Sequence, residues 1–429
     1  VPLSRYLRCF PEPGKSDSFI LYSTKKGSSV RVSRAFLAEL EAGMIGEAER
    51  DTLRRLEIWT DDAVAERRAM AALVEQTNAA STTFFATVAL TMNCNLACSY
   101  CFEDHFRAGQ NMNMETADQF IAYVVKEQIA RGREVEIRFY GGEPLLALPI
   151  LKRIAGALRD QAQAAGTKFS CSMVSNATLL NRQVVEELLP YGLTSVQITL
   201  DGPSTVHDSQ RPFVSGKGSF ATILANLREV YQLVTLKPGG NFTRDNYRDF
   251  PAALDAMIEA GIDPAKVGAV QFGHIHPKSG GHDPQVATCF ANDEAWLSEA
   301  QLYLREQTIA RGFWVEPIAM GICTVEVNDT LVVNWDGSLY KCPVFMGWPE
   351  LSVGTLADGI GDYSESHNLA LWKNDECLDC AYLPICFGGC RLVPKLNHGV
   401  IDRVNCRRNY YDQALEGIVL QDLRAKAKK

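Results

Sequence analysis

No stretch of this sequence approaches the ~18 unbroken apolar residues that a membrane-spanning helix requires. Basic charge is not in excess either. Lys and Arg number 43 against 51 Asp and Glu, a net charge of −8, which argues against a chain built to hold a nucleic-acid backbone. The opening Val1-Pro2-Leu3-Ser4-Arg5-Tyr6 is not followed by the apolar core of an export signal. A valine at position 1 is what an alternative start codon read literally would leave, so a true N-terminus and a cytoplasmic location are expected. Internal repeats and low-complexity tracts are absent. Hydrophobic residues make up 46% and charged residues 22% of 429, a globular balance that excludes a largely disordered chain. At roughly 150 residues per domain, two to four domains are expected.

Cysteine is the informative residue. There are 13, an odd number in a long chain without an export signal, which weighs against a disulfide framework. Ten fall in two spaced groups: Cys94, Cys98 and Cys101, then Cys323, Cys342, Cys377, Cys380, Cys386, Cys390 and Cys406. Gaps of two to five residues between cytosolic cysteines are the usual mark of metal binding. Cys9, Cys171 and Cys289 stand alone.

Three units are expected. In residues 1–80 the pattern predicts a strand at 18–22, its hairpin partner at 28–32 after Lys26-Gly27, and helices at 34–41 and 48–56. That order fits a small winged-helix-like unit. Arg54 and Arg55 lie among Glu47, Glu49, Asp51 and Glu57, a solvated mixed face and not a DNA-reading one. Residues 81–312 alternate strands at 83–90, 135–140, 168–175, 195–200, 231–236 and 269–275 with helices at 114–131, 148–164, 181–189, 219–230 and 250–260. Asn113 and Ser219 are the expected N-caps. Six such units imply an α/β fold with a parallel sheet, a partial (β/α)6 TIM-like barrel open on one side. Ligands gather at the C-terminal ends of such strands. A helix at 294–311 leads into the third unit, 313–429. Its segment 323–410 is rich in Gly and Pro, carries seven cysteines, and needs metal ligation for stability.

Strand one is followed by Cys94-x3-Cys98-x2-Cys101. Three thiolates leave a four-ligand structural zinc site one short, but they suit a [4Fe–4S] cluster with one iron left unligated. This spacing, with aromatic Tyr100 before the third cysteine, resembles the radical SAM enzymes. The resemblance implies that S-adenosylmethionine chelates the open iron. One electron then cleaves it to a 5′-deoxyadenosyl radical that takes hydrogen from a substrate. After strand two, Gly141-Gly142-Glu143-Pro144 resembles the family's GGEP segment, with glycines for close backbone approach and a carboxylate for an ammonium group. The plain alternative is a turn with an exposed Glu. Ser175-Asn176, after strand three, falls where the family often contacts the ribose. Asp201-Gly202-Pro203 and His207-Asp208-Ser209-Gln210-Arg211 resemble a stretch of the peptide-modifying branch. There Arg211 is a candidate partner for the cofactor carboxylate, and Asp201 is either a turn or cap residue or a substrate-facing catalytic one.

The second group, Cys323-x13-Gly337-x4-Cys342, then Cys377-x2-Cys380-x5-Cys386-x3-Cys390 and Cys406, resembles the SPASM extension of radical SAM enzymes that modify peptides. By that resemblance Cys377, Cys380, Cys386 and Cys406 hold a distal [4Fe–4S] cluster. Cys323, Cys342 and Cys390 hold another nearer the barrel, making three clusters in all. The neighbouring Asp329 is not a cysteine, which leaves one iron open, water-bound or ligated by a residue such as Cys289. An open iron would present a substrate thiolate; a closed one would serve electron transfer only. Cys171 is expected to be a core thiol, and Phe102, Phe139 and Tyr140 core or pocket lining. Trp335 is placed in a hairpin. His274 and His276 stand at the functional edge, where substrate contact competes with a commoner structural role.

The resemblance therefore implies a radical SAM/SPASM maturase of a ribosomally made peptide. Its layout, including Ser23-Thr24-Lys25-Lys26-Gly27, is similar to maturases encoded beside geopeptide precursors. The first unit would capture a leader peptide as an added strand, and the reaction would be a thioether or other crosslink. A precursor peptide and a small electron-donating redox protein are the expected partners, with no nucleic acid and no membrane. Two alternatives stand: a formylglycine-forming anaerobic sulfatase maturase, and a non-enzymatic iron–sulfur regulator.

Overall fold

The computed structural model describes residues 3–104, 106–107, 109–275 and 295–427. Strands Leu7–Pro11 (β1), Ser18–Ser23 (β2) and Ser29–Ser33 (β3) form an antiparallel sheet in the order β1-β2-β3. Leu21 and Val32 of this sheet pack on Leu40, Leu53, Ile58 and Trp59 around helices Arg34–Glu41 and Glu47–Arg55. Strand β1 adds to the expected pair. Only Phe10 of its five residues is buried, so it shows no alternation to read. Arg54 is held by Glu47, Asp51 and Asp61, the ion-pair net expected of a solvated face.

The six expected parallel strands are present: Thr83–Thr91 (β4), Glu134–Gly141 (β5), Phe169–Ser175 (β6), Leu193–Thr199 (β7), Thr235–Phe242 (β8) and Gln271–His274 (β9). Each pairs in parallel with the next. The intervening helices, Met114–Glu127, Leu148–Ala164, Arg182–Leu188, Phe220–Val230 and Pro251–Glu259, bury one face against the sheet. Phe120, Ile154, Leu158, Val185 and Leu227 meet Ile137, Met173 and Val196 in one core with Cys171, a packed thiol as expected.

The fifth barrel strand lies later than expected, at 235–242 instead of 231–236, because Pro238-Gly239-Gly240 looks like a turn. Inside the sheet a Cβ on Gly239 would stand 2.3 Å from the Gln271 carbonyl, and one on Gly240 2.3 Å from the Leu200 carbonyl. These glycines admit neighbouring backbone; they do not bend the chain. Asn113 caps its helix through Thr116 N–H at 2.8 Å. Ser219 makes no such bond, and Asp208 instead accepts from Phe220 N–H at 2.8 Å.

The sheet is not closed. Among the described residues β9 pairs with β8 alone. At the other end β4 takes Thr330–Val333 (β10) as a further parallel neighbour. Antiparallel Ser338–Tyr340 (β11), Gly354–Thr355 (β12) and Gly359–Ile360 (β13) follow. The third unit thus extends the barrel sheet to ten strands. Trp335 sits in the β10–β11 hairpin, where Gly337 takes φ +84°. An unexpected C-terminal helix, Arg408–Ala427, packs on helix Ala295–Ala310. Among the described residues no helix is long and apolar enough to cross a membrane.

Candidate active site and auxiliary metal sites

The first cysteine loop leaves β4 and is held from outside. Ala97 N–H donates to Pro212 O at 2.8 Å and Ser99 N–H to Gln210 O at 3.0 Å, while Val214 N–H donates to Asn95 O at 3.0 Å. The stretch from Gln210 to Val214, which spans Arg211, is therefore the cradle of the cysteine loop. Burial raises the thiols of Cys94, Cys98 and Cys101, the last to about 11. Cys94 Sγ accepts from Leu96 N–H at 3.4 Å and from Asn176 Nδ2 at 3.6 Å.

The Gly-Gly-Glu-Pro segment presses on the same loop. Gly142 N–H donates to Thr91 O at 2.8 Å and Glu143 N–H to Asn93 O at 2.9 Å. A Cβ on Gly141, whose φ is +127°, would lie 2.1 Å from Thr91 O, and one on Gly142 2.3 Å from Asn93 O. The close approach is between backbones. Glu143 is fully buried, not the exposed Glu of a plain turn. It accepts from Leu145 N–H (3.1 Å), Ser175 Oγ (2.9 Å) and Asn176 N–H (2.8 Å), which fills three of roughly four acceptor positions on a carboxylate. Burial pushes its carboxyl up to about 7. Asn176 Oδ1 accepts from Thr178, and its Nδ2 also donates to Asn95 Oδ1 at 2.8 Å.

A second network joins Tyr100, Asp201 and Arg211. Tyr100 Oη donates to Asp201 Oδ2 at 2.5 Å and accepts from Arg211 Nη1 at 2.7 Å and Asn241 Nδ2 at 3.1 Å. Asp201 Oδ1 accepts from Asn241 N–H at 2.8 Å. Asp201 is wholly buried and both its oxygens are occupied. Burial raises its carboxyl, with Arg211 opposing. The geometry gives it the work of a positioning residue. Arg211 Nε is buried without a partner, a donor that an anionic group would satisfy. Asn241, which the sequence pattern does not single out because β8 starts later than that pattern predicts, also lines a cavity of about 550 Å³ with Gln197, Thr199, Gln271, Gln301 and Arg305.

The other seven grouped cysteines sort by the charges they feel. Cys342 responds to Cys323 and Cys390. Cys377 responds to Cys380 and Cys406, and Cys386 to Cys377. Cys377, Cys380, Cys386 and Cys406 line one cavity of about 250 Å³. Burial raises Cys342 to about 12 and Cys386 to about 11. Among the described residues no three His, Cys, Asp or Glu side chains are placed to hold a single metal ion. Asp329 is tied to Arg133 in an ion pair. His274 lies in β9; Cys289 and His276 fall outside the described residues. The first unit docks on the distal loop. Tyr6 Oη donates to Leu378 O at 3.0 Å and Thr24 Oγ1 to Ala381 O at 2.6 Å, and Arg5 pairs with Asp379.

Residues 88–237 match the family described as the Radical SAM superfamily. That segment is a radical SAM domain, and the chain is a radical SAM enzyme, which sets aside the regulator reading. The cofactors of the class are S-adenosylmethionine and an iron–sulfur cluster. A serine-type anaerobic sulfatase-maturating enzyme of Bacteroides thetaiotaomicron is 24% identical over 348 residues, covering 69% of this chain and 80% of that one. The Klebsiella aerogenes enzyme of the same name is 30% identical over 140 residues, 32% of this chain; about a third of its length is spanned, 34%. Among solved structures, anSMEcpe with bound AdoMet superposes with TM-score 0.62 at 18% identity, covering 80% of this chain and 97% of that one. Streptococcus suis SuiB bound to precursor peptide SuiA superposes with TM-score 0.54 at 16% identity, covering 94% and 98%.

Proposed function

We propose that this enzyme is a radical SAM/SPASM maturase that oxidatively modifies a ribosomally made peptide, joining a Cys sulfur to carbon or forming a related crosslink. The observation that carries the reading is the gathering of Cys377, Cys380, Cys386 and Cys406 around one cavity, in a chain whose first barrel strand leads into the loop of Cys94, Cys98 and Cys101. The donor sets fit iron–sulfur clusters: thiols only, with N–H groups aimed at sulfur. Cys94, Cys98 and Cys101 would hold the first cluster. Cys323, Cys342 and Cys390 would hold the second, and Cys377, Cys380, Cys386 and Cys406 the third. With S-adenosylmethionine bound, the first cluster supplies one-electron cleavage to a 5′-deoxyadenosyl radical.

The chain's own residues do the rest. Glu143 keeps one acceptor position for the methionyl ammonium while bracing β6. Arg211 offers Nε to the carboxylate. Asn176 holds Cys94 in place, and Tyr100 and Asp201 lock the loop to β8. The 550 Å³ cavity beside Asn241 admits a peptide segment from the open flank. A leader would add to β3, which pairs with β2 alone among the described residues. There a groove of about 400 Å³ lies between Val30, Val32, Phe36, Thr52 and Leu53. A small redox protein would supply electrons.

Anaerobic reconstitution tests this. Three four-iron clusters predict about twelve irons per chain. Replacing Cys94, Cys98 and Cys101 together by Ala should remove about four of them and all 5′-deoxyadenosine formation. Cleavage that survives this replacement would sink the assignment. Sulfatase maturation is the second reading, favoured by the Bacteroides relative. Against it, the SuiB superposition reaches 94% of this chain where anSMEcpe reaches 80%. Mass loss on a Cys-containing precursor encoded beside this gene, against formylglycine formation on a sulfatase peptide, separates the two.

A further inference from the structure

The two auxiliary sites differ in the charge around them. At Cys323, Cys342 and Cys390 the nearby guanidinium belongs to Arg391, and Glu326 cancels it in an ion pair whose partners are each 4% exposed. At the four-cysteine cavity the balance is different. Arg407 and Arg408 both line it against one carboxylate, Glu376. Among the described residues neither arginine pairs with an acid. Arg408 hydrogen-bonds the Cys380 sulfur, and the backbone N–H groups of Arg407 and Gly388 donate to Cys386. The Arg407 guanidinium lies 4.6 Å from the Tyr410 ring centre and 5.2 Å from that of Tyr411, with Nε buried and unpartnered. Cys406 is exposed.

A cluster's reduction potential rises with nearby positive charge and with hydrogen bonds to its sulfurs, because both favour the extra electron. We propose that Arg407 and Arg408 hold the distal cluster at a higher potential than the cluster at Cys323, Cys342 and Cys390, so that electrons drain outward to the Cys406 face. One electron leaves the near cluster and reduces the distal one by one. A soluble one-electron carrier protein of the flavin or iron–sulfur class then takes it, returning the distal cluster to its oxidised form. This rests on the iron–sulfur reading above.

The test is a potentiometric EPR titration of the reconstituted holoenzyme, with Cys377→Ala and Cys342→Ala identifying the distal and near signals. In Arg407→Gln and Arg408→Gln the distal midpoint should fall by at least 59 mV, a tenfold change for a one-electron couple. In Arg408→Lys, which keeps the charge, it should stay near wild type, and the near signal should not move. Unchanged distal midpoints in both Gln variants at wild-type iron content, or a distal midpoint below the near one, overturn the proposal. If Cys377→Ala removes no iron, the functional reading fails first and takes this one with it.

Discussion

His207 is a wholly buried imidazole whose protonation state is dictated by its neighbours. Nδ1 accepts from Asp201 N–H at 3.2 Å, so the single ring proton sits on Nε2, 3.1 Å from Ser219 Oγ, which donates onward to Arg211 O at 2.6 Å. A second proton on Nδ1 would face an N–H donor. Burial first, then the Arg211 guanidinium, holds the group at about 3, below its ordinary 6.5. The folded form is therefore neutral, while an opened form takes up a proton below about pH 6.5, so stability is lost as pH falls through that value. Between pH 7.5 and 5.0 the loss is about 2 kcal/mol, or about 30-fold in the opening constant. Amide hydrogen exchange of residues 200–211 in the anaerobic holoenzyme reads this directly, once corrected for intrinsic exchange chemistry. Protection should fall by about 30-fold in the wild type and by less than about threefold in His207→Gln. The same slope in both proteins, or a flat wild-type profile, refutes the reasoning.

Gly142→Ala, whose Cβ would meet Asn93 O at 2.3 Å, should cost about four irons per chain and all cofactor cleavage. Gly361→Ala, whose Cβ would meet only Val353 O at 3.8 Å, should keep its iron; metal analysis decides. Arg391→Gln strips Glu326 of its buried cation and should destabilise by about 3–5 kcal/mol, seen as a lower urea midpoint. Tyr100→Phe leaves Arg211, Asn241 and Asp201 without their shared hydroxyl. At about 1–3 kcal/mol for such a buried loss, affinity for S-adenosylmethionine should drop about tenfold by calorimetry with iron content unchanged.

The six-strand alternation, the edge at which the motifs fall and the two cysteine groups were legible because each is written in local spacing. Strand β8 was displaced because Pro238, Gly239 and Gly240 carry a local signal that the tight packing of Leu200 and Gln271 overrides. Without that strand nothing in the local spacing singles out Asn241. The motifs point to Glu143 and Asn176 as ligand contacts, but their bonds to each other and to Cys94 join positions 33 and 82 residues apart, which no period reveals. The pairing of β10 with β4 spans some 240 residues and is equally silent. The C-terminal helix was readable: Tyr410, Tyr411, Ala414, Leu415, Ile418 and Val419 recur at helical spacing.

Because β10 hydrogen-bonds along β4 in register from Phe85 to Val88, the seam near residue 312 is no place to cut. A barrel severed there would bare the flank of its own first strand, with Ala86 and Val88 unshielded, and such an edge recruits other chains. The metal-bearing tail and the barrel are in that sense one folding unit, inherited or lost together.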